Sequence, residues 1–192
     1  MKRSLSTYAL IMVLVAAAVS QALAQYEEDK PSKISIRIGL YRPSGSALRD
    51  EGGSTWKTFG ASYNLRLDEM GKPDTCASVE HGADKEDRFA AYTTAMSLMK
   101  VWHKKTASPR GPYFGAGAGV YLLKAENLVE RPWPDPPCWE KQSGSKLGFS
   151  VLGGYNLSEN WFAELRYFNM GKLGPDLNFS GIAVYIGTGQ VF

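Results

Sequence analysis

The sequence predicts an all-β protein, an eight-stranded antiparallel up-and-down transmembrane β-barrel, and three observations carry that prediction. Segments of about ten residues alternate apolar with small or polar side chains. Beyond the first residues, no run is long and apolar enough for a membrane-spanning helix, which needs about 20. Connections between the alternating segments are short and long in succession, the pattern of turns on one side of a membrane and loops on the other.

Taken in order, Lys2 and Arg3 precede an apolar run from Ala9 to Val19, and Ala22-Leu23-Ala24 forms a small-x-small cleavage site. Residues 1–24 are therefore expected to be a cleaved signal peptide and residues 25–192 the barrel domain. The run is too short to span a membrane as a helix. Gln25, standing where a lipid-anchored protein has Cys, leaves no acylation point. The formal charge of +3 falls to about +1 once Lys2 and Arg3 leave, so no basic footprint for nucleic acid remains. A mean hydropathy of -0.26 is compatible with a barrel, which shows only alternate residues to lipid.

Lys33 to Arg42 is the cleanest strand, with Ile34, Ile36, Ile38 and Leu40 on one face and Ser35, Arg37, Gly39 and Tyr41 on the other. Trp56 to Leu67 sets Phe59, Ala61, Tyr63, Leu65 and Leu67 against Thr58, Gly60, Ser62, Asn64 and Arg66. Thr75 to His81 is a short candidate. Arg88 to Trp102 is a longer one with poor alternation, where Phe89, Tyr92, Met96 and Met99 also fit the spacing of an amphipathic helix. Tyr113 to Leu123 opposes Phe114, Ala116, Ala118, Val120 and Leu122 to Gly115, Gly117, Gly119 and Tyr121. Leu147 to Leu157 and Trp161 to Met170 form a hairpin around a polar turn, with Glu164 and Arg166 on its polar face. Gly181 to Phe192 closes the set. The links at 68–74, 103–112 and 156–160 are assigned to the periplasmic side, and those at 43–55, 82–87, 124–145 and 170–179 to the outside.

The segments PYFGAGAGVYLL, LGFSVLGGYNLSENWFAELRYF and FSGIAVYIGTGQVF carry a resemblance to the small eight-stranded OmpA/OmpX/OmpW-like outer-membrane barrels. It implies a monomer in the bacterial outer membrane, with outer-membrane lipid as surroundings. It also implies that Phe192 belongs to the signal read by the barrel-assembly machinery. Architecture follows from such patterns far more than activity does.

Arg37, Arg66, Glu164 and Arg166 are expected to face the lumen as a charge network, with Tyr41, Tyr121 and Tyr185 as fillers, because buried charges need partners. Cys76 and Cys138 are compatible with a disulfide in an oxidising compartment. The topology sets them about 25 Å apart across the apolar band, whereas a bridge needs Cα atoms within about 7 Å. Either the thiols are free, or a bridge forms because the loop folds inward or the strand register near Thr75 differs. The Pro- and Trp-rich stretch Arg131 to Trp139 in the 124–145 loop is read as packing or headgroup contact, with an extracellular partner as the alternative. His81 and His103 are the only histidines, and Glu80 and His81 fall on opposite faces of a strand; no nucleophile motif and no zinc spacing accompanies them. The sequence thus points to a structural or surface-interaction role without catalysis, cofactor or metal. Its alternatives are a small-solute or hydrophobic-molecule channel, a lipid-modifying enzyme, and a soluble secreted barrel with a dry core.

Overall fold

The structure, a computed structural model, describes residues 34–68, 71–103, 110–129 and 137–189. The expected signal peptide at 1–24, the assembly signal at Phe192 and residues 131–136 of the Pro- and Trp-rich stretch lie outside the described residues. Eight strands close one antiparallel barrel: β1 Ile34–Pro43, β2 Trp56–Leu67, β3 Pro73–Lys85, β4 Phe89–His103, β5 Gly111–Val129, β6 Cys138–Asn156, β7 Trp161–Asn169 and β10 Gly181–Gly189. Between β1 and β2 stands a helix, α1 Ser46–Gly52. Between β7 and β10 stands a small hairpin, β8 Lys172–Leu173 with β9 Leu177–Asn178.

Neighbours in sequence pair along the barrel, and β10 seals onto β1 in the register Ser35↔Gly189 to Pro43↔Gly181. No barrel edge is left open, which is what lipid demands of a backbone. A path across directly paired residues from Leu122 through Thr94, His81, Phe59, Ile38, Ile186, Ala163 and Tyr155 comes back to β5 at Pro112, a stagger of ten residues. For eight strands that stagger sets a tilt of about 40° and an axial rise of about 2.5 Å per residue.

The ambiguous segment at 88–102 is strand. β4 pairs with β3 on one side and β5 on the other, so its backbone groups enter two ladders at once. Its alternation is weak because small residues, Ala91, Thr93, Ala95 and Ser97, occupy the inward face. The 124–145 segment, expected as a loop, is mostly strand too: β5 and β6 pair from Lys124↔Ser143 up to Val129↔Cys138. The outward positions of this ribbon, Lys124, Glu126, Lys141 and Ser143, are polar because they stand beyond the lipid, while the inward Ala125 is buried beside β4 in the apolar lid of the barrel, so no apolar outer face marks the segment as strand. By the tilt above, it rises roughly 15–20 Å beyond the apolar band. β3 likewise runs further than Thr75 to His81.

The outer face carries the exposed Ile38, Leu40, Leu65, Val79, Leu98, Leu147, Leu165 and Val184. Trp102, Trp161, Tyr155 and Tyr63 ring its lower margin, on the side of the short turns. We call this the turn rim and the opposite end the loop rim. A groove of about 320 Å³ bordered by Ile36, Phe59, Val79 and Ile186 lies on this outer face, with Trp161 at its lower end.

Candidate functional site

The lumen is filled in three layers. Midway down, Glu80 Oε1 accepts from Arg37 Nη2 at 2.8 Å and also from Arg166 Nη1. Glu164 Oε1 accepts from Arg166 Nε at 2.9 Å and Nη2 at 2.7 Å, and lies 3.7 Å from Arg37 Nη1. Tyr113 donates its hydroxyl to Glu164 Oε2 at 3.2 Å. Two arginines and two glutamates form a quartet without net charge, and its side chains are at most 4% exposed. Polar neighbours extend it: Arg37 Nη2 reaches Ser62, Ser78 Oγ lies 2.8 Å from Ser97 Oγ, and the Arg37 guanidinium sits 5.8 Å from the Tyr185 ring centre.

Three strands supply the quartet: β1 gives Arg37, β3 gives Glu80, and β7 gives Glu164 and Arg166 from alternate positions, so the barrel's closure itself assembles it. Arg66 is not a member. The register of β2 on β3 shifts between Asn64 and Arg66, a β-bulge that sets two residues of β2 against one of β3. That extra residue breaks the inward-outward alternation and turns Arg66 out of the barrel, with its side chain 77% exposed and Nε 3.7 Å from Asp74. The member that sequence reasoning missed is Glu80. Its signal was charge balance: Arg37, Arg66 and Arg166 against Glu164 alone left a buried excess of two positive charges, which low-dielectric surroundings do not tolerate.

Above the quartet the loop rim is closed by an apolar lid. Leu48 of α1, Trp56, Tyr41, Phe168, Phe179 and Leu173 are buried together. Tyr41 packs edge-on against Trp56 at 5.5 Å and Trp56 against Phe179 at 6.0 Å, while the Tyr41 hydroxyl donates to the Phe179 carbonyl. Arg49 Nη1 anchors α1 by donating to the carbonyls of Ser44 at 2.7 Å and Pro43 at 3.1 Å, and Ser44 N donates to Ser180 O at 2.6 Å. Below the quartet, Cys76, Met99, Val101, Tyr113, Leu152 and Phe162 form a second apolar layer. Glycines make room for its rings: a Cβ on Gly154 would strike Tyr113, and one on Gly187 would strike Phe162. Tyr41, Tyr121 and Tyr185 all face inward and are buried.

Cys76 and Cys138 are both free thiols. Cys76 lies near the turn rim opposite Met99, whose neighbour on β5 is Gly117, while Cys138 pairs with Val129 at the ribbon's far end. About a dozen residues of β5, roughly 40 Å, separate these levels, so the bridge is ruled out by register. His81 points to the outer face, where its Nδ1 lies 3.0 Å from Thr94 Oγ1 and its ring stacks obliquely on Phe59. His103 is at the turn rim, 2.6 Å from the Pro73 carbonyl. On the projecting ribbon, Glu126 Oε1 accepts from Lys124 at 2.7 Å and Lys141 at 3.3 Å, and Lys124 also lies 5.5 Å from the Tyr92 ring centre. Burial acts to raise the Glu126 carboxyl, but hydrogen bonds from the two lysines outweigh it and hold the group below the ordinary carboxylate range. Trp139 is exposed on the same ribbon.

No protein-family model matches the chain, and no curated protein matches it. Among solved structures it is similar to the N-terminal β-barrel domain of Pseudomonas aeruginosa OprF, with 13% identity and a TM-score of 0.50 over 83% of this chain and 98% of that one. It is likewise similar to Neisserial surface protein A (NspA), with 19% identity and a TM-score of 0.50 over 85% of this chain and all of that one. At these identities the likeness concerns fold alone. The chain therefore has the fold of the small eight-stranded outer-membrane β-barrels.

Proposed function

We propose that the protein is a monomeric barrel of the bacterial outer membrane whose role is structural or surface-interacting rather than transporting or catalytic. The observation that carries this is the filled lumen. An apolar lid, a neutral quartet and a second apolar layer occupy successive levels, and eight strands enclose space only for side chains or one small ligand. What the barrel presents beyond the apolar band is the β5–β6 ribbon, with Trp139 and the Lys124–Glu126–Lys141 cluster available to an extracellular partner. The turn rim faces the periplasm, by the rule that turns are short there and loops long outside. Export by a signal peptide ending near Ala24, and assembly through the closing strand and Phe192, complete the proposal; N-terminal sequencing of membrane-extracted protein checks the former.

Glu164→Gln separates this role from a channel. The expected outcome is lower thermal stability of the folded, heat-modifiable band with unchanged conductance in planar bilayers. Altered ion selectivity would mean that the quartet lines a conducting path. Partition into outer-membrane fractions tests the location, and a detergent-independent soluble protein would overturn it.

A further inference from the structure

On the outer face at the turn rim, the bulge in β2 has a second consequence besides removing Arg66 from the lumen. Arg66 and Lys100 are both in register with Thr75, one from each side of β3. They straddle that strand about 10 Å apart, the width of two strand spacings. Asp74 lies between them: Lys100 Nζ bonds its Oδ1, and Arg66 Nε is 3.7 Å from its Oδ2, which Thr75 Oγ1 also approaches at 3.4 Å. One carboxylate thus serves two cations, and the cluster keeps one uncompensated positive charge. Asp74 is largely covered, whereas the Lys100 side chain is 44% exposed and that of Arg66 77%. Of the five N–H donors of the Arg66 guanidinium, Nε is the group turned to Asp74.

The surroundings match the shape of a phospholipid. Above the cations, toward mid-membrane, Leu65 and Leu98 are exposed at 54% and 60% on the same two strands, a wall for acyl chains. Trp102, beyond Lys100 toward the turn rim on β4, and Tyr63, two residues from Leu65 toward mid-membrane on β2, flank the cations with exposed amphipathic rings of the kind that mark the headgroup region. Lys100, between Leu98 and Trp102 along β4, carries its methylene stem past apolar surface and its ammonium down to Asp74. Bulges at barrel rims re-aim side chains, and this one aims a guanidinium at the depth where phosphates lie.

We propose that Arg66 and Lys100 form a site for the phosphate of an anionic phospholipid in the leaflet at the turn rim, with Asp74 setting their spacing. The site presupposes the membrane placement proposed above. A net positive cluster favours a headgroup without its own ammonium, such as phosphatidylglycerol, over phosphatidylcholine. Each cation near a charged membrane surface contributes about a fivefold preference.

The test is native mass spectrometry of the full chain released from vesicles of mixed phosphatidylglycerol and phosphatidylcholine. Insertion is scored beforehand by heat-modifiable mobility. The folded protein is expected to retain phosphatidylglycerol selectively. Arg66→Gln and Lys100→Gln should each reduce the selectivity about fivefold while mobility stays native. Arg66→Lys should keep most of it, and Asp74→Asn, which frees both cations, should increase it. Equal retention of the two lipids by the inserted wild-type protein overturns the site while leaving the barrel placement standing. So does unchanged selectivity in Arg66→Gln with Lys100→Gln combined. Failure to insert in any vesicle overturns both. Inorganic phosphate added during release should not displace the lipid; displacement would assign the site to free phosphate and overturn the lipid assignment.

Discussion

Glu80 in the lumen and Glu126 on the projecting ribbon hold the same constellation, one carboxylate oxygen shared by two cations. Around Glu80 the partners are Arg37 and Arg166, with side chains at most 1% exposed. Around Glu126 they are Lys124 and Lys141, at 41% and 61%. The difference is solvent. In the lumen, water cannot replace a lost partner, and the arginine fork suits the site because the guanidinium stays charged and donates in several directions. On the ribbon, water solvates whichever charge is released, and two flexible lysines lose side-chain entropy to make the contact. Identical chemistry therefore holds the barrel interior together at one place and decorates a surface at the other.

Glu80→Ala is the strongest way to test that contrast. It strands two buried guanidiniums that shared one oxygen, and removal of one partner from a buried ionic network costs about 3–5 kcal/mol. A matching fall in the urea midpoint of unfolding from vesicles is expected, with Arg166→Met giving a loss of similar size. A loss below about 1 kcal/mol would mean that water reaches the quartet. A second experiment sharpens the point. Replacing Arg37, Glu80, Glu164 and Arg166 together by apolar residues of similar volume should cost less than Glu80→Ala alone, because no charge is left unpaired. If the four losses instead add, the quartet contributes through net attraction rather than through mutual neutralisation.

How much of this was written in the sequence follows the same divide between lipid, lumen and water. Strands β1, β2, β5, β7 and β10 were legible because one face of each meets lipid and the other meets the lumen, which enforces period two. β4 was ambiguous because its lumen face carries small residues under the lid, where volume rather than polarity is selected. The outer halves of β5 and β6 were invisible because the face that meets lipid lower down turns polar there, as at Lys124, Glu126 and Lys141, which leaves ladder hydrogen bonds and the burial of Ala125 under the lid to define the strands. Arg66 was misplaced by a single inserted residue, since a bulge flips every face assignment at its position. Glu80 lies inside the short candidate Thr75 to His81, on one face with Cys76 and Ser78; what hid it is that its partners Arg37 and Arg166 come from distant strands, a pairing that only barrel closure creates. Lid elements α1 and the β8–β9 hairpin carry no signal of their own: Leu48 and Phe179 are buried only because the barrel mouth lies beneath them.

The smallest effect should be found on the ribbon. Glu126→Gln removes an exposed triad worth about 0.5 kcal/mol or less, so global stability should not change measurably. The local signature is a pH dependence. Because Glu126 is held below the ordinary carboxylate range in the folded ribbon, its contribution is complete above the unfolded carboxyl's titration and is lost as pH falls through the lower, folded value. Amide exchange of Asn127 to Val129 and of Cys138 to Lys141 should therefore lose protection slightly in the acid range, while amides around Glu80 do not follow. In Glu126→Gln the acid-range change should vanish. If it persists there, another carboxylate ties the ribbon, and the resemblance between the two clusters ends at their geometry.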